Sequence, residues 1–194
     1  MTSIFKEVVV QLSSSHYLVI TALGKDRSGI INTITHQVSL AGCNIEDSRF
    51  ALFGDNFTFI MMLSGDWQAI SQIELVLPKL GVELDLLIVM KRTLAMDREP
   101  IDSVMRLQIE VPDSPGLIQR FTQLFDPKES NIAELISKTE SKPASQDTIL
   151  NIKMSVQLAA SADLKQIEKR VQSLCRTLNG HYTISMIEHV LPNE

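Results

Sequence analysis

The sequence predicts an α+β protein of two tandem βαββαβ units, each a four-stranded antiparallel sheet with two helices on one face. Three observations carry this. The chain has 194 residues, a comfortable length for two domains of about 100 each. An internal repeat runs through it at constant spacing. In both halves, apolar residues alternate with period two and then recur at helical spacing, in the same order.

The repeat is the stronger signal. Asp26-Arg27-Ser28-Gly29-Ile30-Ile31 corresponds to Asp113-Ser114-Pro115-Gly116-Leu117-Ile118, 87 positions later. Asn44-Ile45 and Asn131-Ile132 keep that offset, as do Ile34 with Phe121 and Val38 with Phe125. Ahead of the turn, Leu18, Ile20 and Ala22 match Met105, Leu107 and Ile109. Farther on, Leu80-Gly81 resembles Leu178 with Gly180 close behind, an offset near 98. The extra residues are expected between the second and third strands of the second unit. Residues 138–147 supply them, with the composition of a solvated loop.

Taken in order, residues 17–23 alternate as a strand. Ile30, Ile31, Ile34 and Val38 then make one helical face, which Gly42 ends. Residues 45–53 and 57–63 flank Gly54-Asp55-Asn56 as a hairpin. Trp67, Ile70, Ile73, Leu77 and Leu80 form a second helical face. Residues 82–90 read as a last strand, apolar enough to be covered on both faces. The second unit follows suit: strand 104–111, helix 117–125, strands 132–137 and 148–158, a helical face at Leu164, Ile167, Val171, Leu174 and Leu178, and strand 181–189. The organisation is thus an N-terminal extension 1–14, a first domain 15–91, a linker 92–102 and a second domain 103–194. The sheet face away from the helices needs cover, from a second repeat or a second chain.

Composition narrows the function. There are 18 basic and 23 acidic residues, a net charge of −5. Up to Ala95 there are 7 basic against 9 acidic residues, and beyond it 11 against 14. Neither half has the cationic footprint of a free-standing nucleic-acid binder. Cys43 and Cys175 make no disulfide framework and no CxxC. His16, His36, His181 and His189 lack metal-ligand spacing, so no metal and no cofactor are expected. No stretch has the length and apolarity of a membrane span, and the expectation is a soluble, cytoplasmic protein. GxSxG, P-loop, GxGxxG and HExxH motifs do not occur.

Chemical interest concentrates where the first strand of each unit turns into the first helix. Gly29 and Gly116 allow backbone to approach a ligand. Helix N-termini offer N–H groups to a carboxylate, and Asp26 or Asp113 would take an ammonium group. Carboxylate plus ammonium describes a free amino acid. Ser28, Ile30, Ser114 and Leu117 complete the turns. Asn44 with Ile45, and Asn131 with Ile132, begin the adjacent strand and are candidates for the same spot. The plainer reading is that Asp26 and Asp113 are helix caps and Pro115 a first helical residue. Cys43 with His36 as a nucleophile pair is weaker than a half-buried cysteine at a helix end. Residues 46–49 read as a solvated edge or an interface.

The doubled βαββαβ pattern with Asp-x-x-Gly-Ile and Asp-x-x-Gly-Leu turns resembles a pair of ACT domains, a ferredoxin-like family. More narrowly, the chain from about Ser15 onward resembles tandem-ACT repressors of glycine cleavage genes. Residues 16–24, 43–49, 57–61, 84–93 and 131–135 carry the likeness. Ser28 stands where the family has Pro in the first turn. The resemblance implies a strand order of 4-1-3-2 and a regulator rather than an enzyme, with no catalytic residues. It also implies a small amino acid, glycine foremost, bound at domain interfaces. The partner would be a DNA-binding activator protein, without direct DNA contact, and a homo-oligomer is possible. A regulatory subunit of an amino-acid biosynthetic enzyme and a small-molecule enzyme using Cys43 or Asp26 are the other readings.

Overall fold

The computed structural model describes residues 15–94, 103–126, 128–141 and 148–188. The expected extension 1–14 and most of the linker lie outside these residues, as do residues 142–147 and His189. The chain divides into two compact units, Met1–Asp97 and Arg98–Glu194. In the first, β1 (His16–Lys25), α1 (Ile30–Leu40), β2 (Asn44–Phe53), β3 (Asn56–Gly65), α2 (Trp67–Leu84) and β4 (Leu86–Thr93) follow one another. In the second come β5 (Ser103–Pro112), α3 (Leu117–Thr122), β6 (Ser130–Ser141), β7 (Thr148–Leu158), α4 (Leu164–Thr177) and β8 (His181–Glu188).

Each unit is a four-stranded sheet, ordered β2-β3-β1-β4 and β6-β7-β5-β8, with antiparallel neighbours throughout. Read from the other edge this is the expected 4-1-3-2. Alternation on the central strand decides which face is covered. Leu18, Ile20 and Ala22 of β1 point inward and are fully buried against Ile34, Ile70, Ile73 and Leu77 of the helices. Met105, Leu107, Ile109 and Val111 of β5 do the same against Phe121, Ile167 and Val171.

The ends of the helices have local causes. Asp66 and Asp163 cap α2 and α4, their side chains accepting from the amides of Ala69 and Gln166. After α1, Gly42 N donates to Ser39 O and Cys43 N to Val38 O, with Gly42 at φ 80°. This is the double bond of a Schellman turn. Asn179 (φ 53°) and Gly180 repeat it on Arg176 O and Cys175 O after α4.

Three boundaries and the cover of one strand differ from the sequence reading. First, α2 continues to Leu84, and β4 begins only at Leu86, after Asp85 turns left-handed at φ 55°. The apolar run from Val82 has no period that separates helix from strand. Second, Leu87 and Val89 on the outer side of β4 are exposed, so that strand is covered on one face only. Third, β4 takes in Arg92 and Thr93 from the expected linker. Arg92 is held there by two bonds to the Glu74 carboxylate, at 2.7 and 2.8 Å, and lies over the Trp67 ring at 4.0 Å. Fourth, α3 stops at Thr122, three residues short, ahead of Asp126 and the helix-breaking Pro127.

The register corrects the repeat arithmetic. Leu63 faces Leu18, and Val156 faces Met105, an offset of 93 in the third strand. Ile88 faces Ala22, and Tyr182 faces Ile109, an offset of 94 in the last. The offset is 97 at the start of the second helix, where the caps Asp66 and Asp163 match, close to the expected 98, and falls to 94 in the last strand because α2 is longer than α4. Six extra residues do enter between the second and third strands, but Lys138–Ser141 belong to β6 rather than to a loop.

Two outcomes are expected. Phe121→Ala removes a fully buried ring and should cost about 3–5 kcal/mol in denaturant unfolding of the full chain. The Glu74 carboxyl is held below its ordinary range by the Arg92 hydrogen bonds. A carboxyl depressed in the folded state contributes stability above its unfolded pKa, near 4.3. That contribution is lost as pH falls through the folded value. Thermal melts of wild type and Glu74→Gln should therefore differ at pH 6 and converge in acid.

Candidate functional site

Both β–α turns are built the same way. Asp26 N donates to Asp55 O and Asp113 N to Thr148 O, each at 2.9 Å. These bonds tie the end of the central strand to its hairpin neighbour. The chain then enters the helix through Gly29 at φ 86° or Gly116 at φ 84°. No side chain caps either helix, which corrects the capping reading of Asp26 and Asp113. Pro115 likewise lies ahead of the cap, outside the helix. A Cβ at either glycine would meet nothing within 4 Å. The demand for glycine is therefore one of backbone conformation, not of volume.

The first intrahelical acceptors are Gly29 O, bonded by Thr33 N at 3.0 Å, and Gly116 O, bonded by Arg120 N at 3.1 Å. The amides just ahead, of Ile31 and Asn32 and of Ile118 and Gln119, have no carbonyl one turn behind them in the helix. They are the donors the turn can present. Ile30 and Leu117 are core residues, and Ile45 and Ile132 pack against the two cores. These four side chains hold the turn and strand in place. Ser28 and Ser114 are exposed.

The second turn borders an open hollow of about 260 Å³. Asp113, Ser114, Gly116 and Gln119 line one side, and Ser137 and Thr139 of β6 the other. Thr139 Oγ1 donates to Asp113 Oδ2 at 3.1 Å. At the common offset of 87, Ser137 and Thr139 correspond to Phe50 and Leu52 of β2. The Phe50 ring stacks on Phe57 at 5.8 Å and meets Phe59 edge-on at 6.3 Å. Large apolar side chains thus stand in the first unit where two small hydroxyl residues stand in the second. The sequence reading passed over Ser137 and Thr139. The signal was there: at a constant offset, two positions of the edge strand change from large apolar to small polar.

Asn44 and Asn131 are not brought to their turns. Asn44 lies beside Ser64, which faces Tyr17 at the start of β1, whereas the turn leaves β1 after Lys25. Eight strand residues separate the two levels, about 26 Å. At its own end, Asn44 Nδ2 donates to Glu46 Oε1 at 3.0 Å, and Ser64 Oγ donates to the same oxygen. Those bonds, Ser64 first, hold the Glu46 carboxyl below its ordinary range. Asn131 Nδ2 donates to Gln157 Oε1 at 3.1 Å, at the matching end of β6. One unit by itself therefore cannot set its aspartate turn and its asparagine on one small ligand.

The Cys43 thiol is pushed above its ordinary range, by burial first and by the Asp66 charge second. A thiol so shifted carries less thiolate at neutral pH, the reverse of an activated nucleophile. Burial also raises the Cys175 thiol. Among the described residues no group of three His, Cys, Asp or Glu side chains is placed to hold a metal ion. No described helix is long and apolar enough to cross a membrane.

Comparison with known proteins agrees with this architecture. The ACT domain family model matches residues 16–91, the first unit. The glycine cleavage system transcriptional repressor of Escherichia coli strain K12 is 53% identical over 178 residues, 92% of this chain and 94% of that protein. A crystal structure described as a putative glycine cleavage system transcriptional repressor is 36% identical with a TM-score of 0.66, covering 91% of this chain and all of that one. An unknown protein from Galdieria sulphuraria, 22% identical, shares the fold with a TM-score of 0.72 over 89% of this chain and 99% of its own.

The glycine conformation at the second turn gives an expected outcome. Gly116→Val should destabilise the chain by about 1–2 kcal/mol from the left-handed backbone alone, and Gly116→Asn by less. Chemical denaturation of the two variants measures both.

Proposed function

Because this chain belongs to the family of the glycine cleavage system transcriptional repressor, built on ACT domains, we propose that it restrains glycine cleavage genes by holding a DNA-binding activator protein, and that a small amino acid releases the hold. The chain is a regulator of transcription and not an enzyme. Glycine is the first candidate ligand.

The hollow at the second turn carries the ligand half of this reading. It offers amides at Ile118 and Gln119 for a carboxylate and the Asp113 carboxylate for an ammonium group, with the Thr139 hydroxyl on Asp113. Its modest volume and the small side chains of Ser137 and Thr139 suit an amino acid with little or no side chain. The first turn, with Asp26, Ser28 and Gly29, has Phe50 and Leu52 where the second has room. The second turn is therefore the one assigned to the ligand. Asn44 and Asn131, each at the far end of its own sheet, are left out of the site. The net charge of −5 favours action through a protein contact rather than through DNA phosphates, and the compartment assigned to this action is the cytoplasm.

Calorimetry with glycine should show saturable binding to the full chain. Ser137→Phe, which copies the first unit, should abolish the heat while leaving thermal stability near wild type. An absence of heat with glycine, alanine and serine at millimolar concentration would overturn the ligand assignment. In a mobility-shift assay on the target promoter, the chain alone should give no shift. It should alter the shift of the activator, less so as glycine is added. A salt-sensitive shift by the chain alone contradicts the protein-contact half.

A further inference from the structure

Asn179-Gly180 is the one Asn-Gly step in the chain. An asparagine is most prone to cyclise ahead of glycine, which has no side chain to hinder ring closure. The Gly180 amide nitrogen attacks the Asn179 side-chain carbonyl carbon, the amide proton leaves with the departing ammonia, and a five-membered imide forms. Water then opens the imide at either carbonyl, giving aspartate or isoaspartate.

The fold accounts for both residues of the pair. Asn179 stands at φ 53° just past the end of α4, a conformation asparagine tolerates better than most residues. Gly180 follows, one residue before β8. A Cβ there would lie 2.2 Å from Val111 Cγ1 and 2.7 Å from the Glu110 carbonyl oxygen, so only glycine fits. A left-handed turn followed by a close approach has thus placed a reactive pair at the surface, with Asn179 exposed. The same contacts restrain the reaction. Gly180 N donates to Cys175 O at 2.9 Å, and Asn179 N to Arg176 O at 3.3 Å. A nitrogen whose proton is held in a hydrogen bond is a poor nucleophile, and freeing it breaks the turn that ends α4. Packing against Val111 and Glu110 also keeps Gly180 from swinging toward the Asn179 side chain.

We propose that Asn179 is a latent deamidation site, closed while the turn after α4 is intact and converted through local opening of that turn. Its rate then follows the population of the opened turn rather than the exposure of the side chain. The first unit shows which product the fold accepts. At the last strand's offset of 94, Asp85 holds the same left-handed place, φ 55°, between α2 and β4. Aspartate therefore fits the turn. Isoaspartate adds a methylene to the main chain, and the bond from Gly180 N to Cys175 O cannot re-form unchanged.

The test is peptide mapping by mass spectrometry of the full chain aged at pH 8, folded and in concentrated urea. In urea Asn179 should convert ahead of every other asparagine. In the folded chain it should convert roughly tenfold more slowly or less. Val111→Ala loosens the packing beside Gly180 and should speed conversion severalfold in the folded chain, with thermal melts confirming that it folds. Asn179→Asp should melt within a few degrees of wild type, as the Asp85 turn implies. Equal rates in the folded and unfolded chains would overturn the proposal, because sequence alone would then govern the reaction. So would an Asn179 that stays intact in urea, a folded Val111→Ala chain that converts no faster than wild type, or an Asn179→Asp chain that no longer melts cooperatively.

Discussion

A β-strand sends successive side chains to opposite faces, and two helices cover only one face of a four-stranded sheet. Everything else in each unit depends on that constraint. Leu18, Ile20 and Ala22 are buried because the helices lie above them. Tyr17, Val19, Thr21 and Leu23, one residue out of step, meet whatever lies on the other side. A one-residue slip of the central strand would exchange these sets and empty the core. The tight antiparallel register with β3 and β4 is the device that prevents it.

Duplication preserved this frame and relaxed it where the frame makes no demand. The β-bulge that shifts register between Ile45 and Asp47 recurs between Ile132 and Glu134, at the repeat offset. The left-handed glycines recur, and so do the bonds from Asp26 and Asp113 to the neighbouring strand. What diverged is side-chain volume on the outermost strand, from Phe50 and Leu52 to Ser137 and Thr139. An edge strand packs against one neighbour rather than two, so a change there opens a hollow without breaking the core.

The same geometry separates the two groups of polar candidates. The helix after the turn carries the chain back along the sheet, so the strand that follows begins at the opposite end. Asn44 and Asn131 are near the turns in sequence and about 26 Å from them in space. Sequence proximity suggested one place for both groups, and the return path of α1 and α3 sets them at opposite ends of the sheet.

Period and repetition made the architecture legible from residues alone. Two-residue and 3.6-residue periods distinguish strand from helix, and the offset of 87 located both turns and both bulged strands. Left-handed positions were legible where glycine occupies them, because few residues tolerate that conformation. Where a run is mostly apolar, as from Val82 to Met90, the period is lost, and the folded chain ends the helix at Leu84, where Asp85 turns left-handed and Gly81 packs closely against Leu86 and Ile88. The hollow at Asp113 was decided by tertiary structure. It depends on which residues face one another across strands far apart in sequence, and that pairing is set by the register of the folded sheet rather than by any local pattern.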